Sequence, residues 1–308
     1  MSKEKADGAA GARWASAIVG IAACSENAYT TMDEDGAKVD LKLSFRDPFK
    51  PKSLVTVHSQ VKSGKSFRAG SSTREQLTLK LDQDTLRSLN DSSNLGVIFW
   101  VPPPPHSRIY WYAQDPRSEF KSPAKLSRSQ YVTPSLRFDL ARLASYANWS
   151  CSFSQQTVKA GSSKQILQRA RVAYREMKSA PITHPLVGEL GVTRFAWRHV
   201  TRRSKSASRR DLSLRIVPYL KKLLSASPDR FVRKDVETLR FGGKIVETRF
   251  VLCWYRNSLV IDQKTYSVLL RIKEEITYPA EWLRWPLSAT KVTQTATLAS
   301  WWCKEVRL

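Results

Sequence analysis

Two runs decide the fold of the N-terminal half: Asp35–Phe45, DGAKVDLKLSF, and Leu54–Phe67, LVTVHSQVKSGKSF. In the first, Val39, Leu41, Leu43 and Phe45 alternate with Asp40, Lys42 and Ser44. A strand there carries its apolar side chains on one face and its polar ones on the other. The second run repeats the pattern, with Val55, Val57 and Val61 set against Thr56, His58, Gln60 and Lys62. Between them lie Asp47, Pro48, Lys50 and Pro51, which predict an antiparallel hairpin with a loop of several residues. A period of two puts Gln60 and Lys62 on one side, where they can meet Asp40. A carboxylate beside an amide or carbonyl oxygen offers hard oxygen ligands to Mg²⁺ or Mn²⁺. A nearby ammonium can hold the attacking water or steady charge growing on a phosphoryl group. An ordinary solvated strand face shows the same alternation, so the pattern alone leaves both readings open.

Outward from this pair, residues 1–11 are small, polar and Gly-rich and are expected to fray, with a short helix following to about Cys24. Beyond the hairpin the pattern predicts a strand near Leu77–Leu81, a helix over Gln83–Asn90 and a strand over Gly96–Val101. Four prolines, Pro102–Pro105, then force a connection into a strand over Arg108–Ala113, and a helix follows near Leu136–Trp149. With QVKSGKSF after an Asp-bearing strand, then GVIFWVPPPP and RIYWY, residues 12–150 resemble the PD-(D/E)xK nuclease superfamily, in its Mrr-like branch where Gln replaces the acid of the second motif. The resemblance implies an α/β restriction-endonuclease-like domain with a central mixed sheet. It implies Asp40 and Gln60 as ligands of Mg²⁺ or Mn²⁺, the backbone carbonyl of Val61 as a third, and Lys62 as the water-activating or charge-stabilising residue. It further implies metal-dependent cleavage of DNA, in phage defence or as a toxin-like effector. That superfamily commonly supplies a Glu from its first helix. Arg13–Ala23 holds no acid, which leaves Glu26 as the nearest candidate, while Asp33, Glu34 and Asp35 read as loop charges. Without such an acid the alternative is a nuclease fold kept as a catalytically inactive scaffold.

The chain has 308 residues and is 42% hydrophobic, which excludes a disordered tail or a fibrous repeat and suggests two domains. We place them at residues 1–150 and 164–308, joined by a Ser-, Gln- and Gly-containing linker over 151–163. The 51 Lys+Arg against 27 Asp+Glu give a net charge of +24. Residues 1–154 hold 21 basic and 15 acidic side chains, a net of +6, and residues 155–308 hold 30 and 12, a net of +18. A surplus that large is most simply tolerated if a polyanion neutralises it, so nucleic acid is the expected partner, DNA ahead of RNA. A homo-oligomer or a partner protein from a defence system is compatible with the same sequence.

The second half predicts a helix near Lys164–Lys178, a loop through Pro181 and Pro185, and the basic segment Trp197–Arg215, WRHVTRRSKSASRRDLSLR. A helix then buries Leu212, Ile216, Leu220, Leu223 and Leu224. A hairpin follows about Gly242–Gly243, then a strand over Tyr266–Lys273 and a Pro- and Trp-rich closing stretch. This is an α+β pattern with an antiparallel sheet. In the basic segment Arg198, Arg202, Arg203, Arg209 and Arg210 are candidates for gripping phosphates. A second reading starts from His199, flanked by Thr201 and these arginines, as the imidazole of a metal-independent RNase. The order of helix, loop His, long helix and hairpin is similar to the barnase/EndoU/colicin/RelE-like RNase fold, over residues 180–308.

Cys24, Cys151, Cys253 and Cys303 are scattered, with no CxxC pair, so neither a zinc site nor a disulfide framework is signalled and a reducing cytoplasm is expected. MSKEK followed by an apolar run ending IAAC mimics a lipoprotein signal, but the run is short and broken by Ser16 and Gly20. No run approaches a membrane span, so no membrane partner is expected. His58, His106 and His184 read as packing or loop residues.

Overall fold

The computed structural model describes residues 3–29, 40–65, 68, 76–103, 108–148, 153–202, 206–285 and 289–306. The chain divides into two units, Met1–Asn148 with Tyr278–Val292, and Trp149–Thr277 with Thr293–Leu308. No helix among the described residues is long and apolar enough to cross a membrane.

The elements of the first unit are α1 (Lys3–Ala23), β1 (Glu26–Tyr29), β2 (Leu41–Arg46), β3 (Leu54–Ser63), β4 (Gln76–Leu79), α2 (Gln83–Asp91), β5 (Leu95–Val101), β6 (Tyr110–Tyr112), β7 (Ala124–Ser127) and α3 (Leu136–Ala147). Five strands form one sheet in the order β1-β2-β3-β5-β6. β2 and β3 make the expected antiparallel hairpin, from Leu41 opposite Ser59 to Arg46 opposite Leu54. β3 and β5 run parallel because α2 carries the chain back across the sheet, so the sheet is mixed, as expected. Every residue of β5 is buried, which is why LGVIFWV reads as an unbroken apolar run.

The two faces of β3 are covered differently. Along it Val55, Val57 and Ser59 are buried on the odd face, but Gln60 and Lys62 on the even face are buried as well. α1 covers the odd face near its end, where a Cβ on Gly11 would stand 2.3 Å from Ser63 Oγ, and α3 packs against α1, β3 and β5. Over the even face lie α2 and the two-stranded β4–β7 sheet, closing a cluster of Leu77, Leu79, Leu86, Leu89, Ile98 and Trp100. α1 starts at Lys3, where the sequence predicted fraying, because Ala6, Ala9, Ala10 and Ala12 outweigh the two glycines among them. Val39 lies outside the described residues.

The second unit holds β8 (Gln156–Thr157), α4 (Ser163–Ser179), β9 (Ile182–His184), β10 (Gly188–Val192), α5 (Arg194–Thr201), α6 (Ala207–Ser225), β11 (Arg230–Phe241), β12 (Lys244–Ile261), β13 (Lys264–Pro279) and β14 (Thr293–Glu305). Its sheet runs β11-β12-β13-β14-β10-β9, with β8 beside β12. The sheet is mixed, not antiparallel as the sequence suggested, because β10 pairs parallel with β14 and β8 parallel with β12. The sequence pattern predicts a loop through Pro181 and Pro185, where β9 lies, and only a Pro- and Trp-rich closing stretch where β14 lies. A strand that leaves into α5 and α6 and meets its neighbour only after a long return can pair in parallel. Within the stretch expected to be a linker, Gln156 and Thr157 pair with β12 and Val158 enters the core. α6 buries Ile216, Leu220, Leu223 and Leu224 as predicted, in one core cluster with Val251, Tyr255, Leu270 and Trp301, while Leu212 is half-buried against it.

Gly11→Ala should destabilise the first unit by about 1–3 kcal/mol through overpacking against Ser63. A second change, Ser63→Gly, should recover part of the loss, as read from urea midpoints.

Candidate active site

Asp40 stands immediately before β2, and its N–H donates to the Ser59 carbonyl at 2.9 Å. That bond fixes the carboxylate against β3, where Oδ2 accepts the Val61 N–H and Gln60 Nε2, each at 2.6 Å. Ser59 and Val61 share a parity along the strand, so Val61 turns its carbonyl as well as its N–H toward the β2 side. Asp40, Gln60 and the Val61 backbone are therefore brought together.

Gln60 is 5% exposed, and its Oε1 is buried without a hydrogen-bond partner. Leaving such an oxygen unsatisfied costs on the order of 1–3 kcal/mol. It belongs to the same amide that touches Asp40. A carboxylate and an unsatisfied carbonyl oxygen are hard donors of the kind Mg²⁺ or Mn²⁺ takes, since such an ion keeps several waters and needs only one or two carboxylates. Among the described residues no three His, Cys, Asp or Glu side chains gather. The residues that could hold a divalent ion here are Asp40, Gln60 through Oε1 and Val61 through its carbonyl.

Lys62 follows Gln60 on the same face and is 7% exposed. Its Nζ donates to Thr85 Oγ1 at 3.0 Å and to Asp82 Oδ2 at 3.3 Å. Asp82 is the N-cap of α2, its Oδ1 accepting the Thr85 N–H at 2.7 Å. Burial pushes the Asp82 carboxyl upward, but the Thr85 N–H and hydroxyl and the Lys62 ammonium outweigh it and hold the pKa at about 2. The sequence reading missed Asp82 and Thr85. The run DQDT ahead of an amphipathic helix is a helix-start signal, but nothing linear ties it to a lysine 20 residues earlier.

The remaining candidates are placed elsewhere. Glu26 is exposed on β1 opposite Ser44, whose partner on β3 is Thr56, four residues before Gln60, so it does not join the pair. α1 lies on the Ser63 face of β3, so an acid in its buried stripe would point away from Gln60 and Lys62. Asp33, Glu34 and Asp35 lie outside the described residues. His58 is held between Ser92 Oγ at 3.0 Å and Asn94 Nδ2 at 3.2 Å, a packing role. His184 is buried and its Nδ1 accepts the Leu186 N–H, and His106 lies outside the described residues.

In the second unit His199 sits in the last turn of α5, not in a loop as the RNase resemblance implied. Val200 of that turn is buried, which continues the helix through the histidine. Thr201 Oγ1 donates to the Trp197 carbonyl at 2.9 Å, so its hydroxyl is occupied within the helix. Arg198, Arg202 and Arg209 are exposed and Arg210 is half-buried, the last two in the first turn of α6. Arg215 is ion-paired with Asp211 and Asp262. Arg203 and Lys205 lie outside the described residues. Compared with protein-family models, curated proteins and solved structures, the chain matches none.

A folded pKa of about 2 against an ordinary 3.8 means that Asp82 contributes stability above about pH 4 and loses it as pH falls toward 2. With the carboxylate half exposed, solvent screening limits this to about 1 kcal/mol. The gap in urea midpoint between the wild type and Asp82→Asn should therefore narrow across that pH range. A gap independent of pH would show that the Lys62–Asp82 contact carries no charge-dependent stability.

Proposed function

We propose that the first unit is a nuclease that hydrolyses DNA phosphodiester bonds with Mg²⁺ or Mn²⁺, and that the basic second unit supplies much of the affinity for nucleic acid. The observation that carries this reading is the buried, unsatisfied Oε1 of Gln60, whose amide Nε2 donates to the carboxylate of Asp40. Asp40, Gln60 and the Val61 carbonyl would hold the ion, which supplies Lewis-acid polarisation and a water of lowered pKa when bound. Lys62 is fixed by Asp82 and Thr85 on the same face of β3. From there its ammonium can donate to a phosphoryl oxygen and offset the charge that grows on it. Ile98 and Trp100, opposite Gln60 and Lys62 on β5, wall the even face with apolar surface and strengthen that electrostatic contribution. A cytoplasmic setting in phage defence, or as a toxin-like effector, extends the reading on the strength of the motif resemblance.

A catalytically inactive scaffold is the competing reading. It is favoured by a first helix whose stretch Arg13–Ala23 holds no acid, and by Glu26 lying opposite Ser44, away from Gln60. Supercoiled plasmid separates the two. The wild type should nick or linearise it with Mg²⁺ and not with EDTA, and Lys62→Ala should slow cleavage by roughly 10²–10³-fold. Cleavage surviving both EDTA and the substitution excludes the metal mechanism, and no cleavage of any DNA substrate favours the scaffold. RNA cleavage in EDTA that His199→Ala abolishes would move the chemistry to the second unit.

A further inference from the structure

β11 and β12 end in an exposed ribbon. Every residue from Glu237 to Lys244 is exposed, on both faces of the hairpin. The turn is Gly242–Gly243, at φ of 56° and 72°, the left-handed two-residue turn whose twist matches the flanking strands. Phe241 pairs with Lys244 across it and Arg240 with Ile245. Phe241 is 84% exposed and Leu239, on the same face, 50%.

The charges of the ribbon divide along its length. Near the root Arg233 pairs with Asp235, and Arg249 with Asp235 and Glu247, so those charges offset one another. At the tip Arg240 and Lys244 have no ion-pair partner among the described residues; the nearest acids in the ribbon sequence are Glu237, on the Arg240 side, and Glu247, on the Lys244 side, which is taken by Arg249. The sequence of the tip is thus RFGGK: Lys244, opposite Phe241, shares the face of the bare ring and Arg240 lies on the other face, two uncompensated cations flanking it on a chain with a net charge of +24. A solvent-exposed Phe has little to gain from water. A polyanion with flat apolar bases inside a charged backbone complements both features.

We propose that this hairpin end is an arm that binds duplex DNA, with Arg240 and Lys244 on phosphates and Phe241 against the bases. A two-stranded ribbon fits the major groove, and apolar wedges and aromatic stacking are common ways for a protein tip to engage bases. The arm rests on the nucleic-acid half of the proposed function and is independent of its cleavage chemistry. It lies on different elements from Arg198 of α5, Arg202 just past it, and Arg209 and Arg210 of α6.

The test is fluorescence anisotropy of a labelled mixed-sequence duplex with the full chain, in EDTA so that nothing is cut, across a series of KCl concentrations. Phe241→Ala should weaken binding by roughly fivefold or more, with the salt slope unchanged. Arg240→Ala with Lys244→Ala should make the log–log salt slope shallower by about two. Both variants should keep the wild-type Tm, because the side chains are exposed. If the wild type binds DNA and the variants match its affinity and slope, the arm is overturned while the wider reading stands. If the wild type binds no duplex at low salt, both fall. A Phe241→Ala variant that binds DNA normally but turns a dimer into a monomer in sedimentation would assign the ribbon to a second copy of the chain and overturn the proposal.

Discussion

The carboxylate of Asp40 takes over the ladder of β3 where β2 begins. β2 pairs with β3 from Leu41 opposite Ser59, and the N–H of Val61, the next that β3 turns to that side, goes to a side chain and not to a further backbone carbonyl. A buried N–H must find an acceptor, and here the acceptor is an anion. The same oxygen takes Gln60 Nε2. That places a carboxylate, an amide and a turned-out backbone carbonyl within one small volume, on a strand whose other edge is locked to β5 from Val57 to Ser63. The geometry is rigid because β3 is central in its sheet.

The even face of β3 is then an unusual place to bury polar groups. Ile98 and Trp100 lie opposite Gln60 and Lys62, and α2 closes the cluster above them. A lysine there is tolerated because the cap of α2 supplies both an anion and a hydroxyl, so Asp82 starts the helix and compensates Lys62 at once. Gln60 is not fully compensated, since its Oε1 is left without a hydrogen bond. Local costs of this kind, in a sequence otherwise consistent with its fold, concentrate at functional sites.

Much of this is legible in the sequence. The alternation in DGAKVDLKLSF and LVTVHSQVKSGKSF fixes the β2–β3 hairpin and its two faces, and the Gly242–Gly243 turn was equally plain. Contacts between distant segments were hidden: the cap of α2 meets Lys62 only because a crossover returns the chain over β3, which period-two patterning does not encode. β14 was missed for a different reason. TQTATLASWWCKE mixes small and polar residues with two tryptophans, and its buried run Leu298–Trp301 breaks strict alternation beside a register shift against β13 at Arg271 and Ile272. The helix through His199 is hidden in the sequence because the arginines around it mask the short helical stripe of Ala196 and Val200.

The central claim is that Asp40 and Gln60 form a divalent-metal site, and Mn²⁺ binding tests it without reference to any substrate. Titrating the full chain while following the free-ion signal by electron paramagnetic resonance should show Mn²⁺ taken up by the wild type and by Lys62→Ala, and uptake lost in Asp40→Asn and weakened in Gln60→Leu. Uptake by Asp40→Asn equal to that of the wild type, or none by any of the four proteins, would contradict it.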